Sequence, residues 1–122
     1  DLEAKTYYVA EISGEIVGGI NIDQQQDKTY LTIDWKNQTN LFLVVHRLAV
    51  KQEFWGHKIG KKLMFFTEKI AEKKNMKSVR LDTYSGNPRA IEFYKNLNYL
   101  ELGAINLKAN KNEYYCFEKM IT

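Results

Sequence analysis

Six consecutive residues, Trp55-Gly56-His57-Lys58-Ile59-Gly60, lie between an apolar run and an amphipathic stretch and lead into Lys61-Lys62. A strand that turns through glycine into a helix leaves backbone N–H groups without intrahelical partners and sets the positive end of the helix dipole beside them. Such a corner binds phosphate. The nucleoside-triphosphate loop is excluded by count: it needs four residues between its glycine and the Gly-Lys-Ser/Thr, whereas three separate Gly56 from Gly60 and no hydroxyl follows Lys61. The dinucleotide glycine pattern is not met either.

A second group of residues lies further on. Asn87-Pro88 has the form of a helix N-cap followed by proline at the first helical position. Tyr94 follows Asn87 by seven residues, about two helical turns, and so falls on the same face. Taken alone, Asn87 is explained by capping and Tyr94 by the core. Cys116, in a β-rich apolar run, reads as a small buried hydrophobe rather than an acyl-carrying nucleophile. His46, Glu53, Asp82 and Glu92 all fall near these elements. An imidazole suits base catalysis best near neutrality, but the sequence does not choose among the four.

These residues need a scaffold. Thr6 to Ile12 and Glu15 to Ile22 are β-rich and joined at Ser13-Gly14, which predicts an antiparallel hairpin. Asp23 to Asp27 is turn-like, Lys28 to Trp35 is expected as a short or irregular strand, and Lys36 to Asn40 as a loop. Leu41 to Val50 is almost continuously apolar, as in a central strand covered on both faces.

From Ile59 to Lys74 the positions Ile59, Leu63, Phe66, Ile70 and Ala71 recur at helical spacing, with lysines in the other directions. Ser78 to Tyr84 is the next strand, so the middle of the chain reads as a parallel β-α-β crossover. A short helix from Asn87 to about Leu97, ended by Asn98, then leads to two strands, Tyr99 to Leu107 and Glu113 to Ile121. The turn-forming Ala109-Asn110-Lys111-Asn112 lies between them. The expected fold class is α/β, with a mixed, mostly antiparallel sheet.

Composition narrows the function. Of 122 residues, 18 are Lys or Arg and 15 Asp or Glu; a net charge of +3 suits a phosphate-bearing ligand but does not imply nucleic acid. One cysteine allows neither an internal disulfide nor a thiolate metal cluster, and suggests a reducing cytoplasm. No apolar stretch is long enough to cross a bilayer, and no metal site or membrane partner is expected.

Leu48-Ala49-Val50, the glycine corner and the Asn87 to Tyr94 helix together resemble the GNAT superfamily of acyl-CoA N-acyltransferases. Its signature Q/R-x-x-G-x-G/A, after a strand ending L-x-V, aligns onto Trp55 to Gly60. Its second motif, N-x-x-(A)-x-x-x-Y with a following G-F-like pair, aligns onto Asn87-Pro88-Arg89-Ala90-Ile91-Glu92-Phe93-Tyr94 and then Asn98-Tyr99. The resemblance covers about Thr6 to Met120 in element order and is most specific from His46 to Tyr99.

The resemblance implies helices on both faces of the sheet and acetyl-CoA as co-substrate. The cofactor would be held by Leu48, Ala49, Val50, Trp55, Gly56, His57, Lys58, Ile59, Gly60, Lys61, Asn87 and Tyr94. It implies transfer of acetyl from acetyl-CoA to a primary amine of a small molecule or peptide, by direct attack in a ternary complex. Tyr94 would protonate the departing thiolate. The alternatives are a CoA-binding regulatory or sensor domain without turnover and, further off, a protein-interaction domain.

Three positions depart from the pattern: Trp55 for Gln or Arg, Lys58 for glycine, and Asn98 for glycine. Lys58 implies weaker or altered CoA binding, while Asn98 is the mildest because asparagine tolerates the left-handed region. The resemblance also implies that residues 1–122 form a single domain that begins inside the fold, without the strand and helix pair that contact the acceptor. A homodimer is one way of covering the sheet edge this would expose.

Overall fold

The computed structural model describes residues 6–107 and 112–121. Six strands, β1 (Thr6–Ile12), β2 (Glu15–Asp23), β3 (Phe42–Val50), β4 (Ser78–Tyr84), β5 (Leu100–Ile105) and β6 (Tyr114–Met120), form one sheet in the order β1-β2-β3-β4-β6-β5. Only β3 and β4 pair in parallel; every other neighbouring pair is antiparallel. Two α-helices, α1 (Ile59–Lys73) and α2 (Pro88–Asn96), and two 3-10 turns, Lys28–Thr32 and Gln52–His57, complete the described residues. The expected fold class holds, with β6 inserted between β4 and β5; of the helices expected on both faces, the two α-helices share one face and the 3-10 turn Lys28–Thr32 lies on the other.

Local chemistry accounts for these elements. Ser13 and Gly14 have φ of 52° and 83°, the paired positive values that a two-residue hairpin turn requires. α1 buries Ile59, Leu63, Met64, Thr67 and Ala71. Phe66, expected on that face, lies at its rim against Tyr8, with ring centroids 4.7 Å apart.

Asn75 (φ 60°) ends α1 in the left-handed region, with Met76 N–H donating to the Ala71 carbonyl at 2.8 Å. Asn98 (φ 72°) ends α2 the same way, with Tyr99 N–H bonded to the Tyr94 carbonyl at 3.0 Å. The Asn98 departure is therefore absorbed locally, as expected of asparagine. The turn-forming residues 109–111 lie outside the described residues.

The sheet has two cores. Leu43, Val45, Val79, Leu81 and Phe117 face α1 and α2. Phe42, Val44 and Cys116 face the other way, onto Tyr30 and Trp35. Residues 28–35 are thus no strand: Asp27 caps a 3-10 turn through the Thr29 N–H at 2.9 Å, and Trp35 Nε1 donates to the Tyr30 carbonyl at 2.8 Å. The β-favouring side chains there serve as a cover for the second face.

A buried ion pair pins that cover. Arg80, 3% exposed, lies between the Trp35 and Phe42 rings at 4.4 and 4.1 Å, and its Nε meets Glu118 Oε2 at 3.1 Å. Its other nitrogens donate to Gln26 Oε1 at 2.9 Å and to the Asn37 carbonyl. Glu118 also accepts from Ser78 Oγ and the Lys36 N–H, each at 2.8 Å. No helix among the described residues is long and apolar enough to cross a membrane.

Candidate functional site

β3 and β4 pair from Phe42↔Ser78 to Val45↔Leu81 and then part. Beyond that point β3 stays bonded to β2 as far as Val50, and β4 to β6 as far as Tyr84. On the side of β3 toward β4, the main-chain groups of residues 47–50 have no strand partner among the described residues. Parallel strands that splay in this way create a slot into which an extended chain can hydrogen-bond.

A cavity of about 660 Å³ opens at the slot on the face carrying both α-helices. It is lined by Leu48, Ala49 and Val50 from β3; Trp55, Lys58, Gly60 and Lys61 from the corner; and Asn87, Arg89, Ala90, Phe93, Tyr94, Asn96 and Leu97 around α2. Three lining residues are cations and none is an acid, so the cavity favours an anionic ligand.

The corner differs in form from the open turn expected. Trp55, Gly56 and His57 belong to the second 3-10 turn, and the chain enters α1 through Lys58 in the left-handed conformation, φ 61°. Among the described residues no side chain caps α1, which leaves its first N–H groups open to a ligand. Gly60 lets α1 pass close to α2: a Cβ there would lie 3.3 Å from the Phe93 ring.

Gly56, His57 and Ile59 do not line the cavity. Gly56 has open space around it, His57 packs edge-on to Phe54 at 5.2 Å, and Ile59 is core at 6% exposure.

Asn87 caps α2 as its sequence position predicts, its Oδ1 accepting the Ala90 N–H at 3.1 Å. Its amide nitrogen has no protein partner among the described residues and remains available to the cavity. Tyr94 is packed by the rings of Phe93, Tyr99 and Phe117 and is 7% exposed. Burial, assisted by the negative charge of Asp82, pushes its phenol up to about 12. At neutral pH it is a proton donor, and its hydroxyl has no protein partner among the described residues.

Five lining residues lie outside the expected set, Arg89, Ala90, Phe93, Asn96 and Leu97, and Arg89 is the charged one among them. Its guanidinium stacks 4.0 Å over the Trp55 indole, whose Nε1 donates to the Val50 carbonyl at 3.0 Å. A signal existed: a cation in the first turn of a helix opposes the dipole, which implies that it serves something outside the helix.

The remaining candidates separate clearly. Cys116 is fully buried on the far face, and burial raises its thiol to about 12, which leaves it protonated and inert. Asp82, raised by burial, accepts a hydrogen bond from the Tyr30 hydroxyl at 2.5 Å. His46 Nε2 is 2.6 Å from Asp23 Oδ1. Glu53 and Glu92 are exposed, on the second 3-10 turn and α2. Among the described residues, no group of three or more His, Cys, Asp or Glu could hold a metal ion.

The model of the acetyltransferase (GNAT) family matches residues 1–99 of the chain. The fold is shared with Ard1 from Thermoplasma volcanium at a TM-score of 0.78 and 21% identity, over 95% of this chain and 70% of that one. An acetyltransferase from Bacillus cereus ATCC 14579 superposes at 0.72 with 24% identity, over 96% and 73%. An aminoglycoside 6'-N-acetyltransferase complexed with coenzyme A superposes at 0.73 with 19% identity, over 97% and 73%.

Proposed function

The chain belongs to the GNAT acetyltransferase family, and from that premise we propose that it transfers an acetyl group from acetyl-CoA to a primary amine of a small molecule or peptide. The observation that carries this reading is the convergence of three separated segments on one cavity: the unpaired stretch of β3, the start of α1, and the Asn87 to Tyr94 face of α2. An extended pantetheine arm fits the slot beside residues 48–50, bonding to their main chain much as an added strand would. The pyrophosphate then falls at the N-terminus of α1, where free N–H groups, the dipole, Lys58 and Lys61 all favour negative charge.

Direct transfer is the reaction this site supports. Held together, an amine and a thioester react without a covalent enzyme intermediate, and the site's contribution is position and proton handling. Cys116, buried and protonated on the opposite face, offers no competing acyl carrier. Tyr94 lines the slot with a hydroxyl that stays protonated across the physiological range, as the donor to a departing thiolate must.

The experiment is release of free thiol from acetyl-CoA against a panel of small amines and peptide N-termini, with calorimetric titration of CoA alongside. Binding with thiol release on at least one amine is expected. Binding without turnover on any amine would mark a CoA sensor, and absence of binding would remove the CoA reading altogether.

A further inference from the structure

Tyr94 lines the cavity, but among the described residues no protein group bonds its hydroxyl, so the hydroxyl is aimed by whatever holds the ring. Three rings surround it: Phe93 at 5.1 Å, Tyr99 at 6.0 Å and Phe117 at 6.0 Å between centroids. Phe93 and Phe117 have no polar handle and are held by packing. Tyr99 differs. It stands where the G-F-like pair of the second motif has phenylalanine, so its hydroxyl is an addition of this chain.

That hydroxyl is tethered. Tyr99, 2% exposed, donates to Glu68 Oε2 on α1 at 2.8 Å. The other carboxylate oxygen, Oε1, lies 3.1 Å from Lys119 Nζ on β6, and the same ammonium sits 5.6 Å over the Tyr99 ring. The Glu68 and Lys119 side chains are only 15% and 23% exposed, so water competes little for either bond. Burial, and after it the charge of Glu68, raise the Tyr99 phenol above the usual tyrosine value, which keeps the hydroxyl a donor. The main-chain N–H of Tyr99 also bonds the Tyr94 carbonyl at 3.0 Å. Tyr99 therefore grips Tyr94 twice, by ring and by main chain, and is itself anchored at its far end on α1.

Given that Tyr94 protonates the departing thiolate, the reading on which this step rests, we infer that Tyr99 is a positioning residue for Tyr94 and that Glu68 is the anchor holding Tyr99 in place. Proton transfer is sensitive to placement, because the donor has to meet the sulfur at hydrogen-bond distance and a small displacement costs much of the rate. A ring held by packing alone tilts into whatever room its neighbours leave, whereas a ring bonded at its phenolic oxygen is fixed at both ends. The anchor also relates donor to cofactor. Glu68 belongs to the same helix whose first turn, with Lys61, lines the cavity, so Tyr94 is held in register with the element proposed to seat the pyrophosphate. Stability gives less reason for the arrangement, since removing a carboxylate and an ammonium from water offsets most of what their pairing contributes.

The test compares wild type with Tyr99→Phe, which deletes the hydroxyl and keeps the ring, with Glu68→Ala, and with Glu68→Gln, whose amide oxygen still accepts from Tyr99. Calorimetry should give acetyl-CoA affinity within about 2-fold of wild type in all three, with thermal melts confirming that each is folded. For thiol release, kcat should fall about 10-fold in Tyr99→Phe and Glu68→Ala and stay within about 3-fold of wild type in Glu68→Gln. In a Tyr94→Phe background, adding Tyr99→Phe should lower kcat no further, because a residue that acts through Tyr94 has nothing left to position. A merely structural role would cost a similar factor in either background.

NMR of the unliganded protein with labelled tyrosine rings adds a readout that needs no turnover. A ring in a close-packed site flips only when its neighbours make way, so the Tyr94 flip should be about 10-fold faster in Tyr99→Phe than in wild type. An active wild type beside a Tyr99→Phe variant with unchanged kcat overturns the assignment alone, as does an equal loss in both backgrounds or an unchanged flip rate. Glu68→Ala as fast as wild type, or Glu68→Gln as slow as Glu68→Ala, overturns the hydrogen-bonded anchor. A wild type that binds no acetyl-CoA or releases no thiol removes the transferase reading and the purpose of the clamp with it, whatever the flip rates show.

Discussion

The guanidinium of Arg89 lies 4.0 Å above the Trp55 indole, bridging the mouth of the cavity from the first turn of α2 to the 3-10 turn before α1. In the proposed CoA site the tryptophan would supply a platform and the arginine the charge. Trp55→Ala and Arg89→Ala should each weaken CoA binding about 10-fold, in line with the roughly 0.5–2 kcal/mol of a cation–π pair. Arg89→Ala should also flatten the salt dependence, because it removes a charge. Calorimetry at low and high salt checks both; binding as tight as wild type in both variants would reduce the stack to surface packing.

Tyr94→Phe removes a hydroxyl that has no protein partner among the described residues, so the fold should be unaffected. kcat should fall about 100-fold, the usual scale for a lost general acid, with acetyl-CoA affinity nearly unchanged. Because the phenol is raised to about 12, it stays protonated below that pH. The wild-type pH–rate profile should therefore show no basic limb from Tyr94 before about pH 11. A stopped thiol-release assay across pH, with a thermal melt as control, decides this.

Much of the scaffold was legible in the sequence because its signals are local. The continuous apolar run of β3, the Asn87-Pro88 cap and the left-handed Asn98 each depend on residues a few positions apart. Residues 28–35 misled because Thr29, Tyr30 and Leu31 favour strands, whereas Asp27 and the distant Arg80 decide their conformation. The site divided the same way. Several motif positions line the cavity, but the Trp55–Arg89 stack and the parting of β3 from β4 beyond Val45 follow from tertiary packing and strand register, which no spacing in the chain announces.

Lys58 sits at φ 61° with its side chain exposed, the backbone geometry a glycine would adopt. Its cost therefore falls on stability more than on close approach by a ligand. Lys58→Gly should stabilise the fold by about 0.5–1 kcal/mol, relief of the left-handed strain exceeding the added freedom of the unfolded chain. Losing the charge should weaken CoA binding a few-fold at low salt, with the difference fading at high salt. Denaturant melts and calorimetry separate the two effects; tighter binding at both salts would contradict this account.

Arg80 and Glu118 are both almost fully buried, so neither can lose its partner cheaply. Glu118→Ala should destabilise by about 3–5 kcal/mol, because it leaves an unpaired guanidinium between two rings. Replacing both residues by methionine should recover much of that loss. Denaturant unfolding of the single and double variants, followed by tryptophan fluorescence, measures the coupling directly.

Only four residue pairs join β3 to β4, from Phe42↔Ser78 to Val45↔Leu81. Described mechanically, the sheet is two antiparallel three-stranded panels, β1-β2-β3 and β4-β6-β5, sewn along a short seam that is open at one end. A ligand threaded into the open end continues the stitching. Its arrival should thus be felt far from the cavity, as a slowing of amide exchange in both panels at once, and the bound molecule would behave as one continuous fabric.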